Sequence, residues 1–365
     1  MIDFTKRQFK MREIRGVDTV VLVPGANLRY FTGLEFGLSE RPILAFLGAD
    51  GVALVLPELE TPQLAAHPEL SPRVFAWSDE AGYTGAFQAA LRGLELTDKV
   101  LGIDSMTMRA GEYLALLAEA PLRVRRVEEA LTAIRARKEP EEIGAIQAAV
   151  ALSERALERL LPELAAGQSE REVAARLTAL LEAEGSEGHA FGPLVQSGPN
   201  SALPHGAPSE RRLGVGEPLL IDYGGRKYGY PADITRTLFI GEPEPELAHI
   251  FEVVSAANRA AVAAVKPGVP MQEVDRAARG VITAAGFGEH FIHRTGHGLG
   301  LEVHESVPQL AEGVEALLAP GMIMTIEPGV YLPGVGGVRL EDVVVVSETG
   351  AEVLTRLPHV LATGR

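Results

Sequence analysis

The chain has 365 residues, 46% of them hydrophobic and 5% aromatic, with no cysteine and a formal charge of -15. The missing cysteine excludes a disulfide framework, a thiolate metal site and a cysteine nucleophile, so any metal must be held by oxygen and nitrogen ligands. The acidity argues against nucleic acid or an anionic membrane as partner, since both attract basic surfaces, and the length suggests two domains, or one large one with a smaller companion.

The start, Met1-Ile2-Asp3-Phe4-Thr5-Lys6-Arg7-Gln8, carries charges where a secretory signal needs an apolar core. No run approaches membrane-spanning length, and the expectation is a cytoplasmic protein. From Gly16 to about Val127 short β-rich runs alternate with helical ones, which predicts a small α/β domain over residues 1–127. Val17 to Val23 reads as a strand before the turn Pro24-Gly25-Ala26-Asn27. Ile43 to Leu47 and Val52 to Leu56 read as a hairpin closed at Gly48-Ala49-Asp50-Gly51, and Thr84 to Leu94 and Arg109 to Ala118 as helices. Asn27, Tyr30 and Gly33 form a distinctive string whose simplest reading is a strand-to-helix turn.

A charged helical connection is expected from Arg125 to Pro140, its charges forming a solvated face. Pro140-Glu141-Glu142 then opens a long amphipathic helix, with proline in the first turn and acids near the positive end of the helix dipole. Beyond it lies an internal repeat. Gly167-Gln168-Ser169-Glu170-Arg171-Glu172-Val173 with Gly185 aligns with Gly268-Val269-Pro270-Met271-Gln272-Glu273-Val274 with Gly286, at identical spacings. Residues 128–365 therefore read as one domain of two duplicated halves, packed about a pseudo-twofold axis, with a sheet on one side and four helices on the other.

Each half carries a hairpin in which an apolar, β-branched run ends in a carboxylate and the return run opens with another. Asp222 and Asp233 take these places in the first hairpin, and Glu327 and Glu341 in the second. Acids inside apolar strands are costly unless charge meets them, and two divalent ions would neutralise four carboxylates. Gly296-His297-Gly298 lies between the hairpins, its glycines permitting close backbone approach, and supplies the nitrogen ligand that the site lacks. The set Asp222, Asp233, His297, Glu327 and Glu341 is hard and oxygen-rich, favouring manganese, with cobalt or zinc able to substitute. A water shared by two such ions would have its pKa lowered from about 16 toward neutrality, and the resulting hydroxide would hydrolyse an amide, ester or similar bond.

His205 and His304 fall at roughly matching places in the two halves. They either hydrogen-bond the scissile carbonyl, its oxyanion or the residue after the bond, or are buried histidines satisfied by backbone. Arg339, two residues before Glu341 and so on the same strand face, either binds a substrate carboxylate or pairs with neighbouring acids. His290 and His293 read as structural, and His67, His189, His249 and His359 as surface or packing residues.

The strings Ile221-Asp222-Tyr223-Gly224, Gly229-Tyr230-Pro231-Ala232-Asp233-Ile234-Thr235-Arg236-Thr237, Gly296-His297-Gly298-Leu299-Gly300, His304-Glu305, Ile326-Glu327-Pro328-Gly329 and Arg339-Leu340-Glu341-Asp342 resemble those of the pita-bread metallopeptidases. The match is to the Xaa-Pro peptidase branch of prolidase and aminopeptidase P, and it covers nearly the whole chain, since the Asn27, Tyr30 and Gly33 string resembles that branch's creatinase-like N-terminal domain. The resemblance implies an α/β (α+β) chain: a creatinase-like domain followed by a pita-bread catalytic domain with a curved, mostly antiparallel sheet. It implies that Asp222 binds one ion, that His297 and Glu327 bind the other and that Asp233 and Glu341 bridge them. His205 and His304 match the family's substrate and transition-state histidines, Arg339 matches its arginine near the carboxylate site, and Glu327 also takes the place of a proton shuttle.

The substrate so implied is a short peptide with proline at its second position, cleaved at the bond before the proline, and the enzyme so implied is a homodimer. Ala232 stands where related sequences usually have serine and replaces no ligand. A methionine aminopeptidase usually lacks such an N-terminal domain, a creatinase-type hydrolase lacks the metal ligands, and a non-catalytic peptide-binding module on this fold typically loses some of them; here all five are present. An aminopeptidase of this fold without strict proline preference stays open.

Overall fold

The computed structural model describes residues 2–118, 122–204 and 206–359. The chain divides into two compact units, Met1–Arg135 and Ala136–Arg365.

The first unit is built on a six-stranded sheet in the order β4-β3-β2-β1-β5-β6. Its elements are α1 (Phe4–Arg12), β1 (Thr19–Leu22), α2 (Ala26–Thr32), β2 (Leu44–Gly48), β3 (Gly51–Pro57), β4 (Arg73–Trp77), α3 (Thr84–Gly93), β5 (Val100–Ile103), α4 (Ala110–Leu117), β6 (Arg123–Arg126) and α5 (Glu128–Ala136). The hairpin expected from the glycine turn is β2 with β3, Gly48 opposite Gly51. Val21, Leu44, Phe46, Val55, Phe87 and Leu101 form part of its buried core.

Two local expectations are corrected here. The Asn27, Tyr30 and Gly33 string is the short helix α2 itself with its cap, because the chain has already turned at Gly25 (φ 146°); Gly33, at φ 76°, donates its N–H to the Arg29 carbonyl. Arg125 and Arg126 lie in β6, not in a helix. The alternating Arg-Val-Arg-Arg run pairs in parallel with β5 at the sheet edge, where long charged side chains reach solvent, and the helix begins only at Glu128.

The second unit opens with α6 (Pro140–Leu160), whose first turn is fixed by Pro140 at N1 and by the Glu142 carboxylate accepting from the Glu139 N–H at 2.9 Å. The repeat is plain in three dimensions: α7 (Glu170–Ala183) and α9 (Met271–Ala284) are both 14 residues long. Gly185 and Gly286 follow them at φ 86° and 89°. Among the described residues no helix is long and apolar enough to cross a membrane.

The sheet of the first half has the order β11-β8-β7, from β7 (Leu194–Ser197), β8 (Pro218–Tyr223) and β11 (Ile234–Phe239), with the small hairpin β9 (Arg226–Lys227) and β10 (Tyr230–Pro231) at its tip. After α8 (Pro245–Ala264) and α9, the second half forms a sheet in the order β13-β12-β14-β17-β18. Its strands are β12 (Gly296–Gly298), β13 (Glu305–Leu310), β14 (Ile323–Ile326), β17 (Asp342–Val346) and β18 (Ala351–Val353), with a tip hairpin β15 (Gly329–Leu332) and β16 (Gly336–Arg339). Every pairing in both sheets is antiparallel.

The second sequence hairpin is thus divided along its length, with the inner pair β15–β16 nested between the outer strands β14 and β17, as β9–β10 is between β8 and β11. Pro328 has no N–H to give to the ladder, so β14 stops at Ile326 and the chain bends before pairing again. The two sheets are also hydrogen-bonded separately and meet along a seam, where the Glu341 N–H donates to the Thr235 carbonyl at 3.0 Å. Val254, Ala257, Val274 and Ile282 of α8 and α9 bury against Met324 and Val344 of the second sheet.

Candidate metal centre

The four carboxylates occupy joints that the fold creates twice. Asp222 is the next-to-last residue of β8 and Asp233 follows β10; Glu327 lies between β14 and β15, and Glu341 between β16 and β17. His297, the middle residue of β12, is aimed at them from the neighbouring strand. A Cβ at Gly296 would fall 1.9 Å from the Thr325 carbonyl oxygen and one at Gly298 2.6 Å from that of Val307, so only glycine lets the strands close around the imidazole.

Donor atoms of these five residues converge. Asp222, Asp233 and Glu341 form one group with oxygens within 4.8 Å of one another, and His297, Glu327 and Glu341 form a second, sharing Glu341. Asp233 and His297 form a third with His304, whose ring packs edge-on against that of His297 at 4.2 Å between centroids. His205 lies outside the described residues. The site opens into a cavity of about 560 Å³, lined on its apolar side by Phe191, Leu194, Pro204 and Val303.

Burial, and then the neighbouring carboxylates Glu341, Asp222 and Glu327, push Asp233 well above the usual carboxylate range. Glu341 is raised in the same way, and burial moves Glu327 up to about 7. Burial likewise lowers His297 to about 3, so its ring is neutral. The Gly298 carbonyl, 3.1 Å from Nδ1, can only accept, which leaves the proton on Nδ1 and a lone pair on Nε2. That lone pair faces Glu327 Oε1 at 3.2 Å and Asp233 Oδ2 at 3.5 Å. Nε2 and two carboxyl oxygens thus converge on one point, where a divalent cation would take the place of the protons that burial otherwise keeps on the acids, and Arg339 offers only one charge against the four acidic groups. The donor set and its electrostatics therefore fit divalent cations.

A model described as metallopeptidase family M24 matches residues 144–348, and one described as the creatinase/prolidase N-terminal domain matches residues 6–137. The chain belongs to metallopeptidase family M24. This M24 chain is 34% identical over 357 residues to a Xaa-Pro dipeptidase of Pyrococcus horikoshii, covering 98% of this chain and 97% of that one. It is 40% identical over 352 residues to a probable dipeptidase PepE of Mycobacterium bovis, covering 95% and 92%. The crystal structure of dipeptidase PepE from Mycobacterium ulcerans superposes with a TM-score of 0.91 at 36% identity, over 99% and 98% of the two chains.

In this M24 peptidase Arg339 faces the acids. Nη2 is 2.5 Å from Asp222 Oδ2, Nη1 donates to the Tyr331 hydroxyl at 2.9 Å and Nε to Thr235 Oγ1 at 3.2 Å. Tyr331 is in turn 2.9 Å from Nε2 of His293, whose Nδ1 lies 2.7 Å from the Arg294 carbonyl. Sequence reasoning missed Tyr331 and two matched threonines. Thr235 donates to Glu341 Oε2 at 2.7 Å and Thr325 to Glu327 Oε1 at 3.2 Å, while Thr325 Oγ1 also accepts from the His297 N–H. The signal was present: Thr235 is two residues after Asp233 and Thr325 two before Glu327, the spacing that puts strand residues on one face.

Proposed function

We propose that this metallopeptidase removes an N-terminal residue from short peptides with proline in the second position, using two divalent ions held by Asp222, Asp233, His297, Glu327 and Glu341. The observation that carries the reading is the neutral His297 whose Nε2 lone pair points into a cluster of four carboxylates. By the family resemblance Asp233 and Glu341 would serve both ions, Asp222 would hold one, and His297 and Glu327 would hold the other. Manganese is the expected metal, with cobalt or zinc as substitutes. When bound, the ions supply Lewis-acid chemistry, acidifying a water and polarising the scissile carbonyl.

The chain's own groups do the rest. Glu327, which takes the place of a proton shuttle in the family resemblance, is the group that would pass a proton to the leaving nitrogen. His304, at the cavity wall beside His297, would donate to the carbonyl oxygen as it gains charge, and the family resemblance gives His205 the matching role. Arg339 fixes Asp222. The cavity lies within the range of roughly 300–1,000 Å³ that suits small ligands, and its apolar wall suits a prolyl ring, which has no N–H to satisfy. The Xaa-Pro dipeptidase name of the archaeal relative supports the same substrate class. In this reading the enzyme acts in the cytoplasm as a homodimer, which sedimentation of the purified protein tests.

A dipeptidase without strict proline preference is the second reading, favoured by the plain dipeptidase names of the mycobacterial relatives. Manganese-loaded enzyme assayed side by side on an Xaa-Pro dipeptide, an Xaa-Pro-Xaa tripeptide and a proline-free dipeptide separates them. Turnover of the two proline peptides well above the third supports the proposal; equal turnover of both dipeptides supports the second reading, and turnover of the proline-free dipeptide alone overturns the proposal.

A further inference from the structure

The candidate ligands come from two separately hydrogen-bonded sheets, so the spacing of Asp233 on one and Glu341 on the other depends on how the seam between them is held. We propose that Arg236 is a positioning residue that clasps this seam from behind the metal centre, and that the C-terminal segment 355–359 is the brace that holds Arg236 in place. The inference rests on the reading that Asp233 and Glu341 share the two ions.

Arg236 follows Thr235 on β11 and so points to the opposite face from the site, where it is 1% exposed. Its planar guanidinium reaches both sides of the seam. Nη1 donates to the Thr235 carbonyl at 3.0 Å and to the Glu341 carbonyl at 2.6 Å, while Nη2 donates to Asp342 Oδ1 at 2.9 Å. Thr235 and Glu341 are already joined on the site face by the 2.7 Å bond from Thr235 Oγ1 to Glu341 Oε2, so the ligand's side chain and its backbone are fixed from opposite sides.

The remaining donors go to the end of the chain. Nη2 and Nε reach the Leu357 carbonyl at 2.7 and 3.3 Å. That segment is itself pinned at several points. Glu154 on α6 accepts from the backbone N–H groups of Arg356 and Leu357; Thr355 Oγ1 donates to Asp342 Oδ1 at 2.7 Å. His359 lies 3.0 Å from Asp342 Oδ2 and 3.3 Å from Ser255 Oγ on α8. A buried charged network of this kind gives little stability that a hydrophobic core would not, but it specifies one geometry. Lysine, a point charge without the planar fork, cannot bond four acceptors spread over two sheets and a tail.

The test is calorimetric titration of manganese into the chelator-stripped full-length protein, with the melting temperature of the stripped protein recorded alongside. Wild type takes up two ions. Arg236→Lys, and Glu154→Ala, which removes the anchor of Arg356 and Leu357 without touching the site, are expected to weaken uptake by about 10–100-fold, the usual effect of losing a group that orients a ligand. Variants that bind both ions as wild type does, even with a lowered melting temperature, would show a merely structural role and overturn the proposal. If Arg236→Lys fails to fold, Glu154→Ala decides by the same criterion. A wild-type protein that binds no ion defeats the reading of the site itself, and the clasp proposal with it.

Discussion

Arg339 on β16 holds Asp222 on β8 across the two halves of the catalytic unit, Nη2 to Oδ2 at 2.5 Å, with side chains only 4% and 13% exposed. The same guanidinium bonds Tyr331 and Thr235, so Nε, Nη1 and Nη2 each already donate to a protein acceptor. Arg339→Lys would keep the charge and lose the geometry. It should lower kcat/KM by more than about tenfold, about 1.4 kcal/mol of transition-state stabilisation, on Xaa-Pro dipeptides and Xaa-Pro-Xaa tripeptides alike. A rise in KM confined to the dipeptide would instead assign Arg339 to the substrate's carboxylate.

Without metal the centre should make the fold weaker as pH rises. Asp233 and Glu341 are pushed well above their unfolded values and Glu327 to about 7, so the folded protein binds protons that the unfolded chain, with carboxyls near 4, has already lost. The stability that those protons bring is lost as pH climbs through the raised values. His297, lowered to about 3 by burial, acts in the opposite direction, but only below its unfolded value of about 6.5. Between pH 6.5 and 8 the acids alone count, and the melting temperature of stripped protein should fall across that interval, with manganese restoring it. A melting temperature that rises with pH in stripped protein would show that the cluster does not repel itself.

Relieving the repulsion by substitution should have the matching effect. Asp233→Asn removes one of the acids that crowd Glu341, and each unit of pKa shift relieved is worth about 1.4 kcal/mol. Stripped variant at pH 8 should melt above stripped wild type by about 2–4 °C or more, while its manganese uptake and turnover collapse. A variant that melts lower and still turns over would remove Asp233 from the site.

How far the site could be read in the sequence depended on how each residue makes its contacts. The five proposed ligands were legible because each breaks a local rule, an acid ending an apolar strand or a histidine between two glycines, and because the chain makes the arrangement twice. Thr235, Thr325 and Tyr331 break no rule; a threonine or tyrosine in a strand is ordinary, and its role shows only once its partner is placed. Arg236 was visible inside a motif, but its partners are backbone carbonyls, the Asp342 carboxylate 106 residues on and a tail 121 residues away. In the fold, paired strands and long capped helices were legible from periodicity and turn residues. The split of the second hairpin at Pro328, the seam between the sheets and the strand β6 depend on tertiary pairing, which no local pattern encodes.

Lys138 and Glu305 form a buried pair in the same unit, Nζ to Oε2 at 2.9 Å with side chains 1% and 5% exposed, immediately beside His304 in sequence. Lys138→Met leaves the Glu305 carboxylate buried without its ammonium, which should cost about 3–5 kcal/mol. Chemical denaturation of the single variant and of Lys138→Met with Glu305→Leu checks this. The double variant should recover more than half of the loss, and an equal or larger loss in the double variant would count against the pair.

The most direct test of the central claim is a count of manganese ions on protein stripped with chelator and then reloaded, with hydrolysis of an Xaa-Pro dipeptide followed in the same samples. Two ions per chain are expected, with activity that disappears on stripping and returns with them. Undiminished hydrolysis by stripped protein, or reloaded protein that holds no ion, would contradict that claim.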